Sequence, residues 1–297
     1  MMTPTAPAIS PGRRAATWLY RHGRTRLGLL LAAPVAWLIV AYLGSLAILF
    51  LNAVWQRDEF TGLVVRSFTI DNLVEVVSNP LYRNVTVRTV QMAIVVTLTC
   101  GVLAFPIAYY MARVASPRTR GILVVAILMP LWASYLVKAY TWRLILSNQG
   151  LLNWLLAPFG LAGPGLGDNA VGLWLVFTYL WLPYMILPIF AGLERIPSSL
   201  LEASADLGGR GWTTFRRVIV PLVIPALAAG SIFTFSLTLG DYVAPQLITT
   251  SQFIGNVIYL NFGAPDLPFA AALALVPLSI TIAYLLIVRR LGAFEAL

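Results

Sequence analysis

The chain has 297 residues, 59% of them hydrophobic and only 10% charged, with a net charge of +9. A mean hydropathy of +0.83 excludes a soluble one- or two-domain protein and describes a polytopic membrane protein. The single Cys100 and the single His22 exclude a disulfide framework and a Cys/His metal cluster.

The chain opens with a basic tail, residues 1–26, which is Pro/Ala-rich over 3–11 and then carries Arg13, Arg14, Arg21, Arg24 and Arg26. Six runs without Asp, Glu, Lys or Arg follow, at 27–51, 89–112, 121–137, 170–193, 218–239 and 267–288. A transmembrane helix needs roughly 20 apolar residues, with about 17 as the lower limit. The first run is too long for the apolar part of a signal peptide and no A-x-A-like site follows it, so it predicts a retained anchor. The third is the shortest. Its helix is expected to continue past Lys138 towards Trp142, with the lysine snorkelling.

Between spans one and two, residues 52–88 mix Trp55, Phe60, Phe68 and Tyr82 with charges. This segment is expected to fold on the membrane surface or against a partner. Between spans three and four, 143–169 holds an apolar stretch, Leu151–Leu156, bounded by Gly150 and Pro158. It predicts a short interfacial helix followed by a Gly/Pro-rich turn. Pro106, Pro183, Pro188 and Pro277 fall inside spans and predict kinked helices around an internal cavity.

Basic residues alternate from loop to loop. Arg113, Arg118 and Arg120 lie between spans two and three. Arg195, Arg210, Arg216 and Arg217 lie between four and five, and Arg289 and Arg290 follow six. The other loops carry Asp58, Glu59, Asp71, Glu75, Asp168 and Asp266. This is the positive-inside pattern; it predicts cytoplasmic termini, and it makes the basic balance a matter of topology rather than of nucleic-acid binding.

The loop between spans four and five reads LEASADLGGRGWTTFRRVIVP from Leu201 to Pro221. Ser199 and Glu202 fit a capping box, and Gly208-Gly209 fit a left-handed helix stop. Thr213 is expected to cap a second helix that carries Phe215, Arg216 and Arg217 to Pro221. The prediction is a helix–glycine turn–helix, with Leu201 and Ala205 on its apolar face. Arginines alone would suit anionic lipid, but Glu202 and Asp206 would not. A rigid knob of mixed charge suits a groove in another protein.

The spacing Glu202-Ala203-Ser204-x3-Gly208-x9-Val218-x-Val220-Pro221 resembles the EAA-x3-G-x9-I-x-L-P signature of ABC importer permeases, with serine and two valines as conservative departures. The runs YLVKAYTWRLILSNQGLLNWLL, LTLGDYVAPQLI and IGNVIYLNFGAPDLPFAAALAL look like the spermidine/putrescine-type subfamily, and with the loop they cover most of 85–290. The resemblance implies an all-α, six-span permease domain over 27–290, of the type I importer fold, and a short cytoplasmic tail at 291–297. It further implies a coupling loop, 194–221, in which Glu202, Ala203, Ser204, Asp206, Gly208, Arg210 and Pro221 meet an ATPase subunit. The implied partners are a second permease, two ATPase subunits that bind ATP and Mg, an external solute-binding protein and the lipid bilayer of a bacterial inner membrane.

No enzyme is expected in this chain itself. Lys138 is its only lysine and follows Val137, so no phosphate-binding Gly-Lys-Ser/Thr is present. A polyamine path would use carboxylates and aromatic faces. Asp241 with Tyr242 is the best such pair near a span, Tyr140 and Trp142 are further candidates, and Asp241 lies near the outer mouth. Rival readings are an importer of an opine, thiamine or an oxyanion, a secondary transporter or channel, and a membrane enzyme. The uncharged spans speak against the second and the lack of a catalytic constellation against the third.

Overall fold

Continuous apolar runs in lipid must bond their backbone internally, and helices result. The computed structural model describes residues 20, 22–58, 60–160, 165–263 and 266–292. The 3–11 stretch, Arg13, Arg14, Arg21, Glu59 and the last five residues lie outside these. The chain divides into two compact units, Met1–Asn52 and Ala53–Leu297.

The first unit carries the helix α1 (Gly23–Ala53), long and apolar enough to cross a membrane. After Pro34, which has no N–H to give, the helix widens into a π segment at Leu38–Leu43.

The second unit begins with a hairpin of β1 (Gln56–Arg57) and β2 (Val64–Val65), antiparallel, with Gln56 opposite Val65. Asp58 Oδ1 closes its turn by accepting from the N–H groups of Phe60 and Thr61 at 2.9 and 2.7 Å. These donors hold the Asp58 carboxyl below its ordinary range. The amphipathic α2 (Asp71–Ser78) follows, tied back by Asn72 Nδ2 donating to the Trp55 carbonyl at 2.8 Å. Residues 52–88 are thus folded, but they end earlier than expected: α3 (Pro80–Val114) starts at Pro80, where Asn79 supplies a side-chain cap.

Four further helices have the length of a span or half a span: α4 (Pro117–Trp132), α7 (Ala170–Glu194), α9 (Gly211–Gly240) and α12 (Leu267–Arg289). Shorter ones are α5 (Tyr135–Leu146), α6 (Leu151–Leu156), α8 (Ser198–Asp206), α10 (Val243–Ile248) and α11 (Ile254–Gly263). The described residues hold five helices able to cross a membrane, or six if the bent pair α4 and Tyr135–Phe159 is one broken span. The expected short helix at Leu151–Leu156 is present, and part of the turn after it, 161–164, lies outside the described residues.

The straight third span is corrected. Its helix ends at Trp132, and the chain turns by 94° through extended Ala133 and Ser134. Pro130 weakens the last turn of α4, and its carbonyl is capped by Lys138 Nζ at 3.0 Å. The lysine therefore serves the break instead of snorkelling.

The core lies where α3, α7 and α9 pack together, around Val96, Cys100, Phe177, Met185, Ile189 and Val223. Close approach depends on small residues. A Cβ on Gly192 would lie 2.5 Å from Ala226 Cβ, and one on Gly230 would lie 2.8 Å from Met185 Sδ. α12 joins α9 through Tyr284, whose hydroxyl donates to Ser231 Oγ at 2.8 Å. Prolines 106, 183, 188 and 277 all lie inside helices, as expected.

Candidate functional site

α7 and α9 are antiparallel neighbours, so the pair presents a loop end, carrying α8, and an opposite end, near Asn169 and Asp241. At the loop end, α8 stops in a Schellman motif. The N–H of Gly208 meets the Ala205 carbonyl at 2.9 Å and that of Gly209 meets the Ser204 carbonyl at 2.8 Å. Gly208 takes φ +79° with open space where a side chain would stand. Gly209 is required for a different reason, since a Cβ there would lie 2.6 Å from both oxygens of Ser204. Ser204 Oγ and Thr214 Oγ1, 2.8 Å apart, pin α8 to the start of α9.

Glu202, Ala203, Asp206 and Arg210 are exposed on this knob. So are two large apolar side chains beside the glycine turn, Leu207 at 90% and Trp212 at 71%. Trp212 stacks on Phe215 (5.3 Å between centroids), which in turn meets Phe105 of α3 edge-on at 5.5 Å. Phe215–Ile219 forms a π turn, as does Tyr110–Val114 at the end of α3.

Two arginines, at the end of α3 and the start of α4, hold the root of the loop. Arg113 Nη2 donates to the Leu193 and Ile196 carbonyls at 2.6 and 2.8 Å, meeting the negative end of α7. Arg120 pairs with Glu194 at 2.7 Å and donates to the Met111 and Ala112 carbonyls. The ends of α3, α4 and α7 are therefore tied together where α8 begins.

At the opposite end, the carboxylate of Asp241 closes α9. Its Oδ1 accepts from the N–H groups of Val243 and Ala244 at 2.8 and 3.0 Å, starting α10, and its Oδ2 accepts from the Tyr135 hydroxyl. Burial pushes this carboxyl up, against the pull of those three donors. Tyr135 lies parallel to Trp181 at 6.1 Å, and Tyr242 stacks on Tyr259 at 4.6 Å. A Cβ on Gly255 would lie 2.3 Å from the Asp241 carbonyl oxygen, so only glycine lets α11 approach here. Together Tyr135, Trp181, Ser236, Asp241 and Tyr242 line a cleft of about 370 Å³.

A charged knob with exposed Leu207 and Trp212 thus stands at one end of the α7–α9 pair, and an aromatic and acidic cleft at the other. The family model described as binding-protein-dependent transport system inner membrane component matches residues 104–294. The chain belongs to this family. It is a multi-pass inner-membrane permease subunit of an ABC importer, working with a solute-binding protein as the family's description states. It is 43% identical over 312 residues to the inner membrane ABC transporter permease protein YdcU of Escherichia coli K12, covering 100% of this chain and 98% of that protein. It is 32% identical over 246 residues to the spermidine/putrescine transport system permease protein PotB of Salmonella typhimurium SL1344, covering 80% and 84%. The fold matches a chain of a bacterial ABC transporter that imports the acidic polysaccharide alginate (TM-score 0.72, 17% identity, 93% of this chain and 99% of that one). It also matches the alginate transporter in complex with its pentasaccharide-bound periplasmic protein (TM-score 0.76, 14% identity, 94% and 98%).

Several local expectations for this permease need correction. Pro197, not Ser199, is the N-cap of α8, and no side chain caps it; Pro197 is extended and the helix starts at Ser198, which puts the capping box out of register. Arg210, not Thr213, is the N-cap of the second helix, and Thr213 lies within it. Ala205 is exposed, and Leu201 and Ser204 are the sheltered residues. Pro221 does not end the helix, because the preceding π turn absorbs its missing donor. Tyr140 is 53% exposed, and Trp142 packs on Tyr179 at 5.3 Å; neither lines the cleft with Asp241 and Tyr242.

Sequence reading missed Tyr135, Trp181 and Ser236 at the cleft, Gly255, and the roles of Arg113 and Arg120. The two arginines were visible only as topological charge. The Gly208-Gly209 helix stop is present as expected.

Proposed function

We propose that this permease imports polyamines such as spermidine and putrescine, driven by ATPase subunits that dock on the α8 knob. The observation that carries the substrate reading is the 32% identity to PotB over four-fifths of the chain, supported by a cleft whose one formal charge is the carboxylate of Asp241. Glu202, Ala203, Ser204, Asp206, Gly208 and Arg210, with Pro221 at the root of α9, make the ATPase contact. Closure of two ATPase subunits moves α8 as a rigid body, and the Ser204–Thr214 and Arg113 ties pass that movement to α9, α7 and α3. ATP and Mg are held by those subunits, since this chain has no Gly-Lys-Ser/Thr motif of its own. A second, unlike permease completes the path, and an external binding protein delivers substrate to the opposite end. The arginine pattern supports a cytoplasmic position for the knob and both termini.

The path residues we propose from this chain are Asp241 and Tyr242 at the cleft, with Tyr140 and Trp142 of α5 outside it. The test is ATPase activity of the full complex in liposomes with its binding protein, across spermidine, putrescine, an opine, thiamine and sulfate. Stimulation by a polyamine alone is the expected result. Stimulation by another solute alone overturns the substrate reading and leaves the importer intact.

A further inference from the structure

The cleft beside Asp241 contains two polar atoms that the fold leaves without partners. Buried polar groups in folded proteins are almost always hydrogen-bonded, so each exception calls for an explanation. Trp181 is 7% exposed, and its indole N–H has no acceptor. The contrast with Trp174 on the same helix is plain, since that indole donates to Thr99 Oγ1 at 3.1 Å. Ser236 shows the same exception on α9. Ser231, Thr234 and Thr238 each donate to a carbonyl of their own helix, whereas the buried Ser236 Oγ bonds nothing. Both Trp181 and Ser236 line the one cleft that Asp241 and Tyr135 also line.

The charge of the cleft is one-sided. Asp241 is the only acidic or basic side chain lining it, and Lys138, one turn beyond Tyr135, is turned to the Pro130 carbonyl. Its volume of about 370 Å³ lies within the range of small-molecule sites. The parallel rings of Tyr135 and Trp181 offer π faces. A cation with N–H donors suits the Asp241 carboxylate and the Ser236 hydroxyl, whereas an anion would meet the carboxylate.

We infer that Asp241, Ser236, Trp181 and Tyr135 form a site for one primary ammonium group, in which the incoming ammonium displaces the Tyr135 hydroxyl from Asp241 Oδ2. This rests on the polyamine reading above and deepens it by naming the group recognised and the bond exchanged. The ammonium donates to Asp241 Oδ2 and Ser236 Oγ, and its methylene neighbour lies on the Trp181 and Tyr135 rings. The Trp181 N–H takes a water that enters with the ligand. The displaced Tyr135 hydroxyl releases the start of α5 from the end of α9. Substrate arrival is thereby linked to the break in the third span.

The signature is an opposition of sign between two variants. In Tyr135→Phe, Asp241 Oδ2 has no resident donor to lose, so the ammonium binds more tightly. In Asp241→Asn the charge is gone. The measurement is equilibrium binding of radiolabelled spermidine to the purified full complex without its binding protein, after checking by size-exclusion that each variant assembles. Binding severalfold tighter in Tyr135→Phe and at least tenfold weaker in Asp241→Asn is the expected outcome. Ser236→Ala and Trp181→Phe, the latter keeping a ring, serve as second variants and should weaken binding about threefold. A wild type stimulated by spermidine in liposomes, with Tyr135→Phe and Asp241→Asn both weakened or both unchanged in binding, overturns the site and spares the polyamine reading. A wild type not stimulated by spermidine or putrescine overturns that reading, and the site falls with it.

Discussion

At the loop end of α7 and α9 the knob itself is local, although its root is tied to α3 and α4. Gly208 and Gly209 close the helix whose own carbonyls they bind, and Ser204 meets Thr214 ten residues on. At the opposite end it is long-range: Tyr135 meets Asp241 across 106 residues, and Asp168 pairs with Thr249. A knob closed by its own backbone keeps its shape when pushed, while its side chains stay exposed for a partner. A cleft assembled from α5, α7, α9 and α10 depends on all of them and changes shape if one moves. The difference suits one end to transmitting force and the other to sensing a ligand.

Four changes would break or sharpen this contrast. The largest effect is expected from Gly208→Val. A β-branched residue at φ +79° costs on the order of 1–3 kcal/mol of strain and unwinds the Schellman stop. Polyamine uptake in liposomes should fall at least tenfold while ATP hydrolysis persists and the protein still inserts; unchanged uptake would remove the knob from the mechanism. Next comes Gly255→Ala, whose Cβ has no room against the Asp241 carbonyl. Overpacking of this kind costs about 1–3 kcal/mol. Spermidine-stimulated ATPase should drop severalfold with ATPase-subunit binding intact, and loss of that binding instead would mean that the two ends are not separable.

Arg113→Gln removes a charged donor from two carbonyls at the root of the loop, a loss of about 1.5–3 kcal/mol. It should lower the apparent melting temperature of the detergent-solubilised permease and partly uncouple uptake from hydrolysis. A lower melting temperature with normal coupling would make Arg113 a staple and nothing more. Glu194→Gln should do least, since the Arg120–Glu194 pair is part-exposed and such pairs are worth about 0–1 kcal/mol. Thermal stability and uptake within error of wild type are expected.

The same contrast explains what the sequence disclosed. Uncharged runs mark helices because lipid leaves the backbone no other partner, and the Gly208-Gly209 stop is written in two adjacent residues. The break at Ala133–Ser134 was not legible, because Pro130 is tolerated in many unbroken helices and only the Lys138 cap shows which outcome prevails here. Nor was the capping register, where Pro197 takes the N-cap position ahead of a well-spaced Ser-x-x-Glu pattern. Asp241 was singled out as a charge near a span, but Tyr135, Trp181 and Ser236 carry no mark until the helices bring them together. Arg113 and Arg120 read as members of a charge count, and their carbonyl and carboxylate partners lie more than 70 residues away or across a turn.

The most direct test of the central claim is cross-linking from Leu207, the most exposed apolar residue of the knob, in the assembled complex. Leu207→Cys provides a reactive thiol there, against a background in which the one natural cysteine, Cys100, is buried. With a short bifunctional maleimide and cysteines introduced on the ATPase subunit, an adduct to that subunit whose yield changes on ATP binding is the predicted result. An assembled, ATP-hydrolysing complex that gives no such adduct from position 207 would contradict the assignment of this loop as the coupling contact.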